Sequence, residues 1–503
     1  MMQHKRREKD NPLFRKYLAR ERGAIIKKWL GKIPVCVVFA NSYYIGMSNL
    51  ALHILYANLN SDPNVVCERC FFSEGEEPCS LESGKALASF DIIFITLSFE
   101  LDYINMIKLL STAGISVLSS ERKDGDPIVV AGGICVMANP EPVSRFVDLF
   151  IVGDVEATVP LFMKKYMEIK EDKRRAVISE LSGFDWVYNP DRLEVSYSPD
   201  GTIEMFKPPG FSVTMEPYKG RNLGTSAIIT RETEFADMYL VEGTRGCPSR
   251  CPFCLLGNTY SFTYDRLENI ATDGGDIGII GGGVSFHPQL VQIIKFMKQA
   301  GKHAHLPSLR IDEVTTELVG LIQDEVKTLT FGIEAGNERL RKFFGKPLSD
   351  DAIYEKLDAI LAMKPFNLKL YFMIGLHGEE KKDLEDILAM VKHVHHIMVK
   401  TGAPKGYMGS VTIHVSPFVP KASTPFQWLP MEEMGALKEK ITWLKKGLAH
   451  VGNTYFTHES VKYSAIQGIL ARGDRRVGDA ILRFARGDSF SKVMRESPIN
   501  LNF

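Results

Sequence analysis

Two long stretches of the sequence alternate short apolar runs with helix-like segments. In residues 33–170, the run 34–39 is continuous, as in a strand buried on both faces of a parallel sheet, and 91–97 is the next clear strand. In residues 237–428, about six such runs occur, the first at 238–241. We therefore predict an α/β protein in which a doubly wound parallel sheet precedes a partial (β/α)6 barrel of the TIM type and an α-rich C-terminal extension.

The chain of 503 residues is longer than one ordinary domain. Residues 1–32 carry eleven Lys and Arg against three Asp and Glu, and their pattern predicts one or two basic amphipathic helices. These helices are expected to pack on the domain, with docking to an acidic partner as the alternative. The predicted segments are a basic N-terminal helical segment (1–32), a Rossmann-like domain (33–170), a linker (171–236), a partial barrel (237–428) and a C-terminal extension (429–503).

The composition is that of an ordinary soluble globular protein, with 45% hydrophobic and 24% charged residues. Lys plus Arg and Asp plus Glu both number 61, so the global charge predicts neither a nucleic acid nor a membrane as partner. No apolar run is long enough to span a membrane, and the N-terminus is charged where a signal peptide needs an apolar core. Eight cysteines form no disulfide framework in a chain of this length, so we expect a reducing cytoplasm.

Three of the cysteines, Cys247, Cys251 and Cys254, have CxxxCxxC spacing directly after the apolar run 238–241. Thiolate is a soft ligand that suits iron–sulfur clusters or zinc. A closed zinc site needs four ligands, whereas three thiolates on a cubane cluster leave one iron open to a small-molecule chelator. From the residues alone, two alternatives stay open: three buried cysteines placed by chance, or a zinc site completed from elsewhere in the chain.

With an aromatic residue before the third cysteine, this loop resembles the signature of radical S-adenosylmethionine (SAM) enzymes. The resemblance implies a 4Fe-4S cluster on the three cysteines and SAM bound to the open iron. It also implies SAM contacts near the amino group, the carboxylate, the ribose and the adenine. The implied residues are Phe253; Gly281, Gly282 and Gly283 for the amino group; Arg310 for the carboxylate; Glu334 for the ribose; and Gly375 for the adenine. An ordinary salt bridge at Glu334 and a plain turn at the glycines are the alternatives.

Residues 33–170 resemble the cobalamin-binding domains at the N-terminus of many radical SAM proteins. The resemblance rests on residues 91–98, 130–133 and 152–156, and it implies cobalamin contacts at Ser98, Gly132, Gly133, Gly153 and Glu156. The chain departs from that family where many members carry Asp-x-His-x-x-Gly, whose His ligates cobalt: residues 40–46 contain no His, and His53 falls in a predicted helix. Cobalamin would then bind without an obvious lower-face His, or the domain has lost cobalamin altogether.

Two further groups of residues carry weaker signals. Cys67, Cys70 and Cys79 are interpreted as free thiols rather than as a second metal cluster. In the C-terminal extension, Arg472, Arg475 and Arg476 favour a solvated or salt-bridged helix start over a binding site for an anionic substrate. By resemblance, such C-terminal extensions pack against the barrel and help to form the substrate pocket.

The resemblance implies a cobalamin-dependent radical SAM methyltransferase that methylates an unactivated carbon. The substrate would be a small molecule or a peptide or protein side chain, and an electron donor such as ferredoxin or flavodoxin would reduce the cluster. One alternative is a cobalamin-independent radical SAM enzyme that performs cyclisation, oxidation or sulfur insertion. Another is a non-enzymatic zinc or cluster-binding module. The sequence specifies neither the substrate and the proton-transfer residues nor the oligomeric state.

Overall fold

The computed structural model describes residues 16–220, 222–266 and 275–500. These residues form two compact units: the chain up to Leu240 together with the chain from Ile469 onward, and the segment Val241–Gly468. Residues 1–15 of the predicted basic segment lie outside the described residues. Within the described ranges, no helix combines the length and the apolar character needed to cross a membrane.

The first unit contains eight strands and eight α-helices among its described residues, with a ninth strand and a ninth helix at the boundary. The strands are β1 (Ile33–Phe39), β2 (Val65–Phe71), β3 (Ile92–Thr96), β4 (Ile128–Gly132), β5 (Leu149–Ile151), β6 (Val187–Tyr188), β7 (Glu194–Tyr197), β8 (Ile203–Lys207) and, across the boundary, β9 (Tyr239–Glu242). The helices are α1 (Tyr43–Met47), α2 (Leu50–Ser61), α3 (Asp102–Thr112), α4 (Ile134–Ala138), α5 (Val155–Ile169), α6 (Arg174–Leu181), α14 (Val461–Arg472, across the boundary), α15 (Gly478–Ala485) and α16 (Phe490–Glu496).

The main sheet of the first unit has the strand order β2-β1-β3-β4-β5-β6, in which the first five strands are parallel and β6 is antiparallel. Strands β1 and β3 are buried along almost their whole length, because helices cover both faces. The Asn49 side chain accepts a hydrogen bond from the Ala51 N–H and begins α2, which packs against α5. The predicted doubly wound sheet is therefore confirmed.

The chain before β1 does not form the predicted amphipathic helices over residues 21–32. Lys16 is helical and Leu18–Arg20 form a short 3-10 helix, but no helix follows them before β1. The Tyr56 hydroxyl bonds to both the N–H and the carbonyl of Ile25, and Lys27 Nζ donates to the Asn60 carbonyl at 2.6 Å. Because the domain binds the backbone groups that a helix would need for itself, the segment lies along the domain as an irregular strap.

The second unit alternates strands and helices as predicted. Its strands after β9 are β10 (Thr244–Arg245), β11 (Thr263–Tyr264), β12 (Ile277–Ile280), β13 (Ala304–His305), β14 (Thr328–Glu334), β15 (Asn367–Ile374), β16 (Val411–Pro417) and β17 (Thr454–His458). Its helices before α14 are α7 (Leu255–Thr259), α8 (Leu290–Gln299), α9 (Thr316–Ile322), α10 (Glu338–Phe343), α11 (Asp350–Met363), α12 (Lys381–Gly402) and α13 (Met434–Leu448).

These strands form the partial barrel in two sheets, ordered β13-β12-β9 and β14-β15-β16-β17, with a parallel bridge from Leu309 to Phe331. Strands β14 to β17 pair in parallel. Along β15 and β16, residues alternate between fully buried and half-buried, because helices α11 to α13 cover only one face. The seventh main strand, β17, lies in the predicted C-terminal extension and is not anticipated from the sequence.

The rest of the C-terminal extension belongs to the first unit, where α15 packs on α3. Ile481 is fully buried in this contact. Arg475 binds Glu141 through both Nε, at 2.8 Å, and Nη2, at 3.1 Å, while Arg476 pairs with Asp474. The interpretation as a salt-bridged helix start is confirmed for Arg475 and Arg476, whereas Arg472 is the last residue of α14. Whether the extension also packs against the barrel, as the resemblance implies, stays a prediction.

Candidate functional site

The cysteine loop begins at the end of β10 and closes onto helix α7. Cys251 is buried, and Cys247 and Cys254 are half-buried. The Asn258 side chain donates to the carbonyl of Cys251 at 2.9 Å and to that of Cys254 at 2.8 Å. The Cys254 N–H also donates to the Cys251 carbonyl at 3.0 Å. One amide on α7 therefore fixes the backbone of the second and third cysteines.

The thiol of Cys251 lies in a partly apolar site that contains positive charge. Burial raises the pKa of Cys251, and the charges of Lys346 and Arg310 act in the opposite direction. Across the described ranges, no group of three or more His, Cys, Asp or Glu side chains is placed to hold a single metal ion. In a cubane cluster, each thiolate binds a different iron, so its three thiolates surround a volume instead of converging on one point.

The three glycines after β12 lie directly against this loop. A Cβ on Gly281 would be 2.3 Å from the carbonyl oxygen of Thr244, and one on Gly282 would be 1.7 Å from Cδ2 of Leu256. The φ angle of Gly281 is +148°, which side chains rarely adopt. The structure thus brings the predicted glycines Gly281, Gly282 and Gly283 to the cysteines. Their contact with the SAM amino group stays a prediction.

Glu334 ends β14 in a conformation that is unusual for a residue with a side chain. Its φ is +70°, and the pairing register with β15 shifts at this point. Lys346 Nζ forms an ion pair with the Glu334 carboxylate and donates to the Gly332 carbonyl at 3.0 Å. The two side chains are 11% and 14% exposed. The salt-bridge alternative for Glu334 is therefore realised here, with an internal cation as partner.

Lys346 is one of two charged residues near the cysteines that the sequence did not predict as part of the site. It follows Gly345, whose Cβ position is 2.9 Å from Cδ of Pro252 in the cysteine loop. Twelve residues separate Lys346 from Glu334, so no short sequence pattern connects the two. The only signal is a glycine followed by a lysine at the end of α10. The structure shows that this turn joins the end of β14 to the cysteines.

Arg310 also lies near the cysteines, but it already has an acidic partner. Its Nε and Nη2 donate to the two oxygens of Asp312 at 3.0 and 2.6 Å, and its guanidinium lies over the Phe286 ring at 5.3 Å. Burial lowers the pKa of Arg310, whereas Asp312 and the thiols of Cys251 and Cys247 raise it, with a net increase. Asp312 is a second residue that the sequence analysis did not single out.

Phe253 anchors the cysteine loop in an apolar cluster. Its ring meets the edge of Phe344 at 5.8 Å, in a group that includes Phe418 and Phe426. The Phe426 N–H donates to the Pro252 carbonyl at 3.0 Å. The structure therefore gives Phe253 a packing role beside the cluster cysteines, and the predicted SAM contact stays a prediction.

Gly375 allows helix α13 to approach the end of β15. Its φ is +79°, and a Cβ there would be 2.6 Å from Cδ2 of Leu437. The Gly375 N–H donates to Glu379 at 2.9 Å. Burial raises the pKa of Glu379, opposed by the bond from Lys440, whose Nζ also pairs with Glu432. A glycine is required here for packing, independently of the predicted adenine contact.

In the first unit, the candidate cobalamin residues lie at the carboxyl ends of the parallel strands. Asn49 Nδ2 donates to Ser98 Oγ at 3.0 Å, and the Gly132 carbonyl accepts from the Leu97 N–H at 2.8 Å. A Cβ on Gly133 would be 2.5 Å from the Leu97 carbonyl oxygen, and one on Gly153 would be 2.6 Å from that of Glu216. The backbone of this unit therefore already occupies the space beside both glycines. Glu156 lies in the first turn of α5.

Polar side chains cluster near β1 and β3, where the strand order reverses direction. Asn41 Nδ2 donates to Asp102 at 2.8 Å, and burial raises the pKa of Asp102 to about 6, opposed by this bond. His53 lies inside α2, as predicted, and is only 2% exposed. Its Nε2 bonds to the Met47 carbonyl at 3.0 Å, and burial lowers the pKa of His53 to about 4.

The remaining cysteines of the first unit are free thiols. Cys67 and Cys70 are buried in β2, and burial raises the pKa of both. Cys79 is half-buried, and its pKa is also raised by burial. Raised thiol pKa values disfavour the thiolate form that binds metal.

Comparison with known proteins identifies the family. The family described as "Radical SAM proteins, N-terminal" matches residues 51–190, and the "Radical SAM superfamily" matches residues 241–391, which contain the cysteine loop. An uncharacterized protein of Methanocaldococcus jannaschii, MJ0966, is 30% identical over 460 residues, which cover 88% of this chain and 89% of that protein. The ribosomal protein uS12 methylthiotransferase RimO of Caldanaerobacter subterraneus subsp. tengcongensis is 19% identical over 309 residues, which cover 57% of this chain and 69% of that protein.

Among solved structures, the chain is similar to the cobalamin-dependent S-adenosylmethionine radical enzyme OxsB. With aqua-cobalamin and S-adenosylmethionine bound, that structure matches at 14% identity and a TM-score of 0.49, covering 91% of this chain and 71% of that one. With aqua-cobalamin alone, the identity is 16% and the TM-score 0.47, and the match covers 72% of this chain and about half, 52%, of that one. From the two family matches and the cysteine loop that one of them contains, the chain is a radical SAM enzyme and belongs to the radical SAM superfamily.

Proposed function

We propose that this enzyme reductively cleaves SAM at a 4Fe-4S cluster and, with cobalamin, methylates an unactivated carbon of its substrate. The observation that supports the SAM-cleaving half is the arrangement around the cysteine loop: Gly281–Gly283 lie against it, and the cations Arg310 and Lys346 lie near Cys251. When bound, the cluster supplies one electron to SAM, which yields a radical able to take hydrogen from unactivated carbon.

The donor set of this site fits the cluster and SAM. Cys247, Cys251 and Cys254 would hold three irons as thiolates, and the two nearby cations offset their negative charge. The glycines let the backbone approach the ligand closely. The apolar cluster around Phe253 and Phe344 excludes water from one side of the loop. An electron donor such as ferredoxin or flavodoxin would complete the reaction.

The SAM carboxylate needs a cation, and the structure offers two. Arg310 binds both oxygens of Asp312, whereas Lys346 is paired with Glu334. Redirecting Arg310 breaks two bonds to a carboxylate, whereas redirecting Lys346 breaks one bond to a carboxylate and one to the neutral Gly332 carbonyl. We therefore assign the carboxylate to Lys346 in preference to Arg310. Glu334, released from part of this pair, would then accept hydrogen bonds from the ribose hydroxyls.

The proposed cobalamin site lies at the carboxyl ends of β1 and β3. Ligands of doubly wound sheets bind where the strand order reverses, and the order β2-β1-β3-β4-β5 reverses there. Asn41, Asn49, Ser98 and Asp102 provide hydrogen-bonding groups at this position. His53 is buried in α2, so a cobalamin bound there would receive no lower-face ligand from it.

Anaerobic reconstitution tests both halves of this proposal. The reconstituted chain should bind about four irons, and a triple Cys→Ala variant at 247, 251 and 254 should bind none as a cluster. Incubation with SAM, cobalamin and a reductant should form both 5′-deoxyadenosine and S-adenosylhomocysteine. An enzyme that cleaves SAM but never binds cobalamin in absorbance spectra would refute the methylation half alone.

The second candidate function is sulfur insertion without cobalamin. The similarity to the methylthiotransferase RimO over 57% of this chain favours it. Formation of 5′-deoxyadenosine with no cobalamin bound, together with a product that contains additional sulfur by mass spectrometry, would establish this alternative.

A further inference from the structure

The polar face of the sheet β14–β17 carries Glu334 at its upper end, but its lower part has no role in the site described above. Helices cover its other face, where Leu368, Leu370 and Phe372 of β15 are fully buried. Between these residues lie Lys369 and Tyr371, whose side chains are half-buried and alternate with the buried set. Because the helices lie outside the curved sheet, the polar face is the inner face of the partial barrel.

Lys369 lies in the amino-terminal part of this inner face, as the third of the eight residues of β15. Its register partners are Thr330 on β14 and Thr412 on β16, so a hydroxyl flanks it on each side. Its Nζ lies 5.0 Å from the centroid of the Tyr371 ring. Over the described parts of the chain, Lys369 has no hydrogen bond, and no carboxylate oxygen lies within 4.0 Å of its Nζ.

An ammonium in this position is costly unless something anionic binds it. Half-buried charges in protein interiors are usually paired, as Lys346 is paired with Glu334 and Lys440 with Glu379 in this same unit. The cation–π contact with Tyr371 contributes only about 0.5–2 kcal/mol. Lys369 is thus an unpaired cation among hydroxyl groups, a donor set that suits a carboxylate or phosphate.

The next residue row toward the cofactor site extends the same surface. Tyr371 pairs in register with Gly332 and His414, and its ring lies 5.1 Å from the His414 ring. His414 is occupied: Nδ1 bonds to Thr457 at 2.9 Å, and Nε2 lies 3.3 Å from Glu459. Glu459 therefore lies at His414, and in the described parts of the chain Lys369 has no carboxylate partner.

The position along the strands connects this surface to the cofactor site. Lys369 Nζ reaches toward Tyr371, whose partner Gly332 lies two residues before Glu334. Glu334 itself pairs with Phe372, three residues after Lys369, because the register shifts at this point. At about 3.3 Å per residue, the backbone of Lys369 therefore lies roughly 10 Å below the level of the proposed ribose contact, and its side chain reaches across part of that distance. A substrate anchored there would present its carbon atoms toward the carboxyl ends of the strands.

We propose that Lys369, with the hydroxyls of Thr330, Thr412 and Tyr371, binds an anionic group of the substrate, a carboxylate or a phosphate, on the inner face of the barrel. This assignment rests on the proposed function, because it places the substrate next to the SAM site. It narrows the substrate class to molecules that carry such an anion a short distance from the carbon that reacts.

The test measures anion binding to the full chain with its oxidised cluster, saturated with SAM and without reductant, so that SAM covers its own carboxylate site. Inorganic phosphate is followed by ³¹P line broadening, and acetate by ¹³C line broadening. Lys369→Met should weaken binding of at least one of the two anions by about tenfold or more, because a charge-assisted hydrogen bond is lost. Lys369→Arg should retain most of the anion affinity. The anion that the parent chain binds more tightly shows whether the substrate group is a phosphate or a carboxylate.

Lys392→Met is the matched control, because Lys392 lies exposed on α12. It should bind both anions as the parent does, and SAM affinity should be equal in all variants. Saturable anion binding that is unchanged in Lys369→Met, or no saturable binding by a parent chain that does bind SAM, overturns this inference. A parent chain that fails to bind SAM instead refutes the proposed function. Lys369→Gln and Thr412→Val provide the same comparison if Lys369→Met fails to fold.

Discussion

The ion pair between Lys346 and Glu334 should stabilise the second unit measurably even without cofactors. Lys346→Met removes a partner from a carboxylate that is 14% exposed and leaves the Gly332 carbonyl without its bond from Nζ. Losing a charged hydrogen bond costs about 1.5–3 kcal/mol. Breaking a buried pair costs about 3–5 kcal/mol. Since the pair is not fully buried, we expect a loss of about 3 kcal/mol in the free energy of unfolding.

The assay is urea unfolding of the cluster-free chain, with thermal unfolding as a second measurement. For a unit of this size, about 3 kcal/mol corresponds to a decrease in Tm of roughly 6–12 °C. The control is Lys342→Met, which breaks an i,i+4 pair with Glu338 whose lysine is 60% exposed. That change should cost at most about 0.5 kcal/mol. Equal losses for the two variants would refute the structural reasoning, because it attributes the larger loss to the burial of Lys346 and to its bond with the Gly332 carbonyl.

Three further predictions follow from individual contacts. Gly281→Ala should prevent stable cluster loading, measured as iron per chain, since its φ and the close Thr244 carbonyl exclude a Cβ. The pKa of Asp102 is about 6 in the folded chain, above its usual value near 3.9, so the folded chain binds the proton more tightly than the unfolded chain. The free energy of unfolding should therefore fall by at most about 3 kcal/mol between pH 4 and pH 6, as measured by urea unfolding. Arg475→Met should cost about 1–2 kcal/mol, and it should speed hydrogen exchange in α15, because Glu141 loses its bidentate partner.

Each of these predictions has a contrary outcome. Full iron loading of Gly281→Ala would show that the glycine is not required by the contact, and Gly435→Ala, a helical position with open space around it, is its neutral control. If Asp102→Asn keeps the same pH dependence of stability as the parent, another group causes it. If exchange in α15 is unchanged in Arg475→Met, the helix is held by its apolar face alone.

The architecture was predictable because both units repeat one local rule. Apolar runs such as 34–39 and 91–97 predict buried parallel strands, and the structure has β1 and β3 there. Strand β17 was not predicted, because its residues, 454–458, are mostly exposed at a sheet edge and form no apolar run. The irregular conformation before β1 was not predicted, because the hydrogen bonds to its backbone come from Tyr56 and other residues far along the chain.

The candidate site was predictable only where spacing alone carries the chemistry. Cys247, Cys251 and Cys254 are close in sequence, and a loop of eight residues must bring them together. Lys346 and Asp312 could not be identified in this way, because their importance comes from neighbours that the barrel brings near. Gly375 shows that a glycine in a turn of the ligand-binding type can also be required by packing, here by the approach of α13.

The first unit consists of two segments of the chain, and the second of these is synthesised only after the whole second unit. Helix α15, which packs on α3, leaves the ribosome after the whole of the second unit. Until then, the apolar surface of α3 has no partner in the nascent first unit. The contact between α3 and α15 joins residues that are separated in the sequence by the whole second unit. Such long-range closure slows folding and leaves apolar surface open to chaperones or to aggregation. The barrel segment Val241–Gly468, by contrast, is continuous and can fold as soon as it emerges.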